Sequence, residues 1–174
     1  MQYLISATTP DWVRERCRTF WDPGRQLMKA IRRHDHWIVK GKPLRWIAVY
    51  WLWNYRFWSF VTGAEIPLNG RISGGLLIPH PNGIVIHPAA VIGPNCLIFQ
   101  QVTLGGGGRR TGFPTLGGHV DVGAGAKILG GVTIGDHARI GANAVVLIDV
   151  PEGATAAGIP AKIVKFADAA DPPR

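Results

Sequence analysis

The sequence predicts a mainly β fold, in which a parallel β-helix of hexapeptide repeats follows a short helical N-terminal segment. Three observations support this prediction. An aliphatic residue returns every six positions from residue 66 onward, glycine accounts for 23 of the 174 residues, and all seven tryptophans lie before residue 63. A helix requires a period of about 3.6 residues and an amphipathic strand a period of 2, so neither explains the pattern.

The six-residue period is typical of a coil whose sides are short flat strands joined by sharp corners. We expect the aliphatic residue of each repeat to point into the coil, and the next residue, often glycine, to sit at a corner. The predicted inward positions are Ile66, Ile72, Ile78, Ile86, Ile92, Ile98, Leu104, Leu116, Val122, Ile128, Ile134, Ile140 and Val146. A second, smaller interior set is Ala90, Cys96, Val102, Val120, Ala126, Val132, Ala138 and Ala144.

Two interruptions break the period. Ile78 and Ile86 are eight residues apart around the sequence PHPNG, and no aliphatic residue occupies position 110 between Leu104 and Leu116. Insertions in a repeat array map to loops, and loops often carry function. The sequence therefore predicts an irregular corner near residue 80 and an excursion loop at residues 105–115.

The N-terminal segment, residues 1–62, is basic and rich in tryptophan. It holds eleven Lys and Arg against four Asp and Glu, a balance of +7 within the chain's total of +8. Prolines near their starts predict three helices, at residues 10–20, 23–40 and 43–60. We expect the third helix to cover the open end of the coil or to pack on other subunits. The alternative is peripheral contact of residues 43–60 with an anionic membrane surface.

The remaining composition bounds the possible classes. The longest apolar run, residues 46–53, is too short to span a bilayer. Two cysteines cannot form a disulfide framework, which favours a cytoplasmic protein, with the inner face of the membrane as a further expected location. The histidines show no metal-ligand spacing, and the basic residues form no nucleic-acid-binding motif. We divide the chain into the segment 1–62, the coil 63–166 and a tail, 167–174.

Residues 65–164 resemble the hexapeptide-repeat acyltransferases, and within them the serine O-acetyltransferase branch. The resemblance rests on the repeat period, on HPAAVIGPNCLIFQQVTLGGGG and VGAGAKILGGVTIGDHARIGANAVVLIDVP, and on the closing AAGIPAKIV. It implies a left-handed parallel β-helix, a homotrimer, and acetyl transfer from acetyl-CoA to a hydroxyl group.

The same resemblance implies the site residues. The catalytic histidine of the family falls on His80, and the carboxylate that orients it falls on Glu65, where the family usually has aspartate. The small residues that contact the cofactor match Gly106, Ala124 and Ala142.

Positive side chains are expected to bind the phosphates of acetyl-CoA, because guanidinium and ammonium groups pair with phosphate. Arg139 falls where the family often places a basic residue near the cofactor, and Lys162 is the second preferred candidate. The other candidates are Lys127, Lys165, Arg109 and Arg110.

The sequence departs from the family's pattern at several places. Phe113 stands where the family has a second active-site histidine, Pro79 stands where serine enzymes have an acidic residue, and the excursion loop is two residues short. Most of the helical N-terminal domain of serine enzymes is also missing. These departures favour a sugar or exopolysaccharide acceptor. The alternatives are a serine O-acetyltransferase and a non-catalytic scaffold, and His119 is a candidate replacement for the second histidine.

The expected chemistry follows from the residue types. The acceptor hydroxyl must lose its proton as it attacks, which suits the imidazole of His80 as general base. A carboxylate from Glu65 would fix the tautomer of that ring. A backbone N–H at Gly106 would stabilise the thioester oxygen as it becomes negative.

Overall fold

The computed structural model describes residues 5–40, 45–108 and 110–165. Within these ranges it contains a 3-10 turn (Trp12–Glu15), two α-helices and thirteen short strands. The helices are α1 (Pro23–Ile38) and α2 (Arg45–Thr62). The strands are β1 (Arg71–Ile72), β2 (Val85–Ile86), β3 (Val91–Ile92), β4 (Leu97–Ile98), β5 (Thr103–Gly105), β6 (Thr115–Leu116), β7 (Asp121–Val122), β8 (Lys127–Leu129), β9 (Thr133–Ile134), β10 (Arg139–Ile140), β11 (Val145–Val146), β12 (Thr155–Gly158) and β13 (Ala161–Lys165).

The strands form three parallel faces of a coil. Face A contains β2, β5, β8 and β11; face B contains β1, β3, β6 and β9; face C contains β4, β7, β10 and β12, with β13 added antiparallel at its end. Where the period is uninterrupted, register partners are one coil turn apart: Leu116 pairs with Ile134, and Ile128 with Val146. The chain thus passes from face A to B to C and returns to A.

The core of the coil is the predicted column of aliphatic residues. All thirteen predicted inward positions are at most 8% exposed, and all eight of the smaller interior set are buried. Leu76 and Ile84 extend the second set, each two residues before an inward position. The period predicts this core because each strand is short and extended, so that one of its two residues faces inward and its neighbour faces outward.

Two corners of the coil carry columns of residues with positive φ. The column between faces B and C is Gly75, Asn95, His119, His137 and Gly153. The column between faces C and A is Gly63, Gly83, Gln101, Gly125 and Asn143. Glycine is required at position 75 because a Cβ there would overlap Oδ1 of Asn95 on the next turn.

The two interruptions lie at opposite ends of face A. Residues 79–83 form the corner between faces C and A, directly before β2. Residues 106–114 leave the coil at the corner between faces A and B, after β5, and Arg109 within them lies outside the described residues. The loops that the broken period predicted therefore exist, and face A separates them.

The first turn of the coil is closed by α1. Leu27, Met28 and Ile31 belong to the same buried cluster as the coil residues, and Gly24 lies so close to the carbonyl of Ile78 that a Cβ would overlap it. The third predicted helix contributes to this end of the coil beside α1, because Tyr55 and Val61 pack against the same cluster. That helix corresponds to α2, which packs on α1 and adds Trp58 to the cluster.

The prediction of a helix at residues 10–20 is also wrong. This stretch contains only the 3-10 turn, and Asp11 caps it by accepting a hydrogen bond from the backbone of Val13. Asp, Ser and Asn side chains that bond to nearby backbone favour turns over helix, and this turn ends after four residues. The predicted tail, 167–174, lies outside the described residues.

The segment before α1 is held against the coil by polar side chains. Asn95 donates from Nδ2 to the carbonyls of Ser6 (2.7 Å) and Thr9 (2.8 Å), and its Oδ1 accepts from the backbone N–H of Asp11 (2.7 Å). Arg32 pairs with Glu15 at 2.9 Å and also donates to two backbone carbonyls of the coil. These contacts fix the N-terminal segment on the corner between faces B and C.

Candidate active site

His80 lies at the irregular corner between faces C and A. Its side chain is exposed, and its ring faces Phe99 of the next turn, with centroids 6.4 Å apart and planes 27° apart. The corner is two residues longer than the six-residue period allows, and the imidazole it carries is exposed. The broken period therefore predicted the position of an accessible imidazole.

Glu65 lies beside the same corner, on the first turn of the coil. Its backbone N–H donates to the carbonyl of Ile84 and its own carbonyl accepts from Ile86, which places it beside Val85 on face A. Its side chain is exposed. No hydrogen bond joins Glu65 to His80 among the described residues, so the structure places the two on adjacent segments without pairing them.

Ala124 and Ala142 lie on later turns of the coil, at the same corner between faces C and A as His80. The backbone N–H of Asn143 donates to the carbonyl of Ala124 at 2.8 Å, which stacks the two alanine-containing corners one turn apart. Lys127, on face A beside this corner, donates from Nζ to the carbonyl of Gln101. We call these two positions with short side chains, which share the corner with His80, the alanine strip.

Gly106 lies at the other end of face A. It follows β5 at the corner between faces A and B, where it is exposed, and a Cβ on it would approach the ring of Phe113 to 3.2 Å. His80 and Gly106 therefore lie at opposite ends of face A in one chain. The structure does not bring all of the predicted site residues together within a single subunit.

His87 is a candidate residue that the sequence did not single out. Its ring stacks on Phe113 with centroids 3.8 Å apart and planes 8° apart. Its Nδ1 accepts a hydrogen bond from the backbone N–H of Ala89 at 3.1 Å. Phe113 belongs to the excursion loop. Because that loop has no sequence period, the packing of its side chains could not be predicted.

The candidate phosphate ligands are spread over faces A and C and the excursion loop. Arg139 lies on β10, in register with Asp121 and Thr155, and Lys162 is exposed on β13 opposite Ala157. Lys165 is exposed at the end of β13. The prediction for Arg109 falls outside the described residues.

Arg110 already has a partner. It donates to Asp149 at 2.6 Å, and this bond, with a second from the backbone of Thr133, lowers the pKa of the Asp149 carboxyl. The pair is half-exposed and joins the excursion loop to the corner after β11. A loop arginine that is committed to Asp149 is a weaker candidate for phosphate than Lys162.

His119 does not replace the missing second histidine. It lies at the corner between faces B and C, away from the excursion loop, and it is buried. Its Nδ1 lies 2.9 Å from Nδ1 of His137, and burial lowers its pKa. The two histidines contact each other on successive turns at this corner of the coil.

The remaining titratable candidates are structural. Cys96 is fully buried, and burial raises the pKa of its thiol to about 12, in agreement with its predicted packing role. Within residues 5–40, 45–108 and 110–165, no group of three or more His, Cys, Asp or Glu side chains is arranged to hold a metal ion.

Known proteins similar to this chain share its coil. The family model described as bacterial transferase hexapeptide (six repeats) matches residues 113–147. A serine acetyltransferase of Synechococcus elongatus is 49% identical over 106 residues, which cover 60% of this chain and 43% of that protein. A serine acetyltransferase of Helicobacter pylori is 51% identical over 107 residues, covering 60% of this chain and 63% of that protein.

Solved structures give the same fold. The serine acetyltransferase of Brucella abortus in complex with coenzyme A superimposes with a TM-score of 0.71 at 32% identity, covering 85% of this chain and 58% of that one. The enzyme of Vibrio cholerae gives 0.70 at 34% identity, covering 86% and 57%. The expected left-handed parallel β-helix is thereby confirmed.

These comparisons correct the expected acceptor, and they show how much of each relative this chain covers. The proteins that match are serine acetyltransferases, so the expected sugar or exopolysaccharide acceptor is wrong. The chain spans 43% to 63% of the length of these two relatives. The family model covers residues 113–147 of the coil, and over these residues the chain resembles the hexapeptide transferases.

Proposed function

We propose that this chain is an O-acetyltransferase that transfers the acetyl group of acetyl-CoA to the hydroxyl of serine. The observation that carries the proposal is the near 50% identity to serine acetyltransferases over about 106 residues, combined with an accessible imidazole at the irregular corner of the coil. The acceptor is inferred from those relatives. The reaction chemistry is inferred from the residues themselves.

The corner between faces C and A, where the alanine strip lies, is suited to a long, narrow ligand such as acetyl-CoA. Ala124 and Ala142 present short side chains on successive turns, and Gly106, Gly107 and Gly108 leave backbone exposed at the other end of face A. We assign the pantetheine arm to the alanine strip and the phosphates to Lys162 and Arg139. When bound, acetyl-CoA supplies an activated acyl group.

His80 would act as the general base. An imidazole is suited to accept the hydroxyl proton near neutral pH; this one is exposed, and it forms no hydrogen bond with the part of the chain that the structure describes. Glu65, on the adjacent segment, is assigned to orient the ring once the acceptor is bound. Catalytic hydrogen bonds are often long before substrate binds, so the absence of a Glu65–His80 bond is compatible with this role.

The backbone N–H of Gly106 is assigned to the developing negative charge on the acyl oxygen. Exposed glycine backbone permits close approach of a ligand, and a fixed N–H donor at that oxygen contributes about 3–4 kcal/mol of barrier reduction in comparable sites. Since Gly106 and His80 lie at opposite ends of face A, a complete site requires two copies of the chain. The expected homotrimer supplies such a pair at each of its interfaces.

The proposed activity is tested by the release of free CoA. The full chain is incubated with acetyl-CoA, with and without L-serine, and the product is identified by mass spectrometry. We expect CoA release that depends on L-serine, with O-acetylserine as product. A folded, trimeric protein that releases no CoA with L-serine would contradict the proposal and favour the non-catalytic scaffold.

A second proposal concerns α2, which presents an aromatic stripe to solvent. The stripe, defined as Trp46, Tyr50, Trp53, Phe57 and Phe60, has helical spacing, and each member is more than half exposed. Residues 45–62 contain no Asp or Glu, and Arg45 and Arg56 are exposed. Neither described helix is long and apolar enough to cross a membrane. We propose that the stripe binds an anionic lipid surface from one side.

Flotation of the full chain with lipid vesicles tests this contact. We expect co-flotation with vesicles that contain phosphatidylserine, weakened by salt, and loss of binding when Trp53 and Phe57 are both replaced by serine. Val39→Ser, an exposed apolar residue off the stripe, is the matched control. Absence of flotation would contradict the contact, and an assembly larger than a trimer that depends on Trp53 would show that another copy covers the stripe instead.

A further inference from the structure

The corner after β2 carries a polar cluster whose donors the coil leaves unused. The backbone N–H of His87 donates to Leu104 at 2.8 Å, which fixes the start of the corner on face A. Because Nδ1 of His87 accepts from the N–H of Ala89, the hydrogen of the neutral ring lies on Nε2. Among the described residues no hydrogen bond uses that Nε2. The ring therefore offers one oriented N–H donor.

Arg71 reaches the same corner from β1. Its Nη2 donates to the carbonyl of Ala89 at 2.7 Å, and no described carboxylate contacts its guanidinium. Ala89 thus positions both side chains, through its N–H for His87 and through its carbonyl for Arg71. The remaining N–H groups of an exposed guanidinium match the two oxygens of a carboxylate.

Phe113 joins this cluster to the glycine corner. It covers one face of the His87 ring, and it lies against Gly106, where an added Cβ would approach its ring to 3.2 Å. Gly106 is the residue assigned above to the acyl oxygen. The cluster of His87, Arg71 and Phe113 is therefore adjacent to the acyl end of the proposed site.

We propose that His87 and Arg71 form a subsite that binds the carboxylate of the acceptor serine. The inference rests on the proposed function for its acceptor, and its geometry rests on the contacts at Ala89 and Phe113. The stacked phenyl ring restricts the imidazole to one orientation. The Nε2–H donor and the guanidinium then hold the acceptor by its carboxylate, which leaves its hydroxyl directed to His80 of a second copy.

Steady-state kinetics with L-serine and L-serine methyl ester test the subsite. His87→Leu keeps apolar bulk against Phe113 but removes the donor. We expect it to raise KM for L-serine about 10- to 100-fold, the usual effect of losing one charged hydrogen bond. KM for acetyl-CoA and KM for the neutral ester should stay unchanged. His87→Gln, which retains an N–H near the position of Nε2, should restore most of the affinity.

His36→Leu, which removes an exposed histidine of α1, is the control for general effects of losing a histidine. The subsite is overturned if His87→Leu leaves KM for L-serine unchanged, or if it raises KM for L-serine and the ester alike. Retained melting temperature shows that the variant is folded.

A binding measurement separates failure of the subsite from failure of the proposed function. In the wild-type chain labelled with nitrogen-15 at histidine, L-serine should shift the Nε2 resonance of His87, and the methyl ester should not. Serine turnover without this shift overturns the subsite while the function stands. The shift without serine turnover supports the subsite and overturns the function.

Discussion

At the scale of single residues, the pair of His119 and His137 links the corner of the coil to pH. The two Nδ1 atoms are 2.9 Å apart, so one ring donates and the other accepts. Burial lowers the pKa of His119 below its ordinary value near 6.5, and His137 adds to this while Asp121 opposes it. The unfolded chain therefore binds this proton more readily than the folded chain.

We expect the free energy of unfolding to fall as pH drops below the unfolded pKa of His119, near 6.5, and to be fully recovered above it. Urea denaturation at pH 7.5 and pH 5.5 measures the change. His119→Asn tolerates the positive φ of this position and should reduce the loss between the two pH values. His36→Asn, at an exposed position, should not; an unchanged pH dependence in His119→Asn would contradict the assignment.

For single residues, the six-residue period predicted which side chains lie inside the coil. The interior positions and the inert role of Cys96 follow from the spacing, and the structure confirms their burial. The stacking of His87 on Phe113 could not be predicted, because the excursion loop has no repeat to set its path. The burial of His119 could not be predicted from the period either, because its ring bonds to that of His137 one turn away.

At the scale of elements, the contact of the N-terminal segment with the coil depends on one side chain. Asn95 makes three hydrogen bonds to residues 6–11 and has a positive φ, which Gly and Asn adopt more readily than most residues. The helices also illustrate what short-range patterns can predict. The prolines correctly indicated α1 and α2, whereas the stretch 10–20 is organised by its contacts to Asn95 and Arg32.

We expect Asn95→Gly to lower the free energy of unfolding by about 2–4 kcal/mol, because it removes these bonds without backbone strain. Asn143→Gly is the matched control: it has a similar φ and no hydrogen bond from its side chain among the described residues. Urea unfolding measures both. Equal effects in the two variants would show that the segment contributes little to stability.

At the scale of the whole molecule, the proposed site is divided between two ends of face A. His80 lies before β2, and Gly106, His87 and Phe113 lie beyond the other end of the face. The order of the corners could be predicted from the repeat count, but this division could not be seen without the assignment of each strand to a face. The proposed catalysis then depends on the packing of one coil against another.

Mixed trimers test this dependence. His80→Ala and Gly106→Leu each disable one half of the proposed site, so both homotrimers should lose serine-dependent CoA release. Co-expressed chains should recover part of it, because some interfaces then pair two unmodified halves. Mixing His80→Ala with the double variant His80→Ala/Gly106→Leu is the control without recovery. A mixture as inactive as its parents would place the whole site within one chain.

The central claim is that the imidazole of His80 accepts the proton of the acceptor hydroxyl. The most direct measurement is kcat for acetyl transfer to L-serine in the wild-type chain and in His80→Ala, with His36→Ala as control. We predict that kcat falls about 10²–10⁴-fold in His80→Ala, with an unchanged melting temperature and no loss in the control. An unchanged kcat in His80→Ala would contradict the claim.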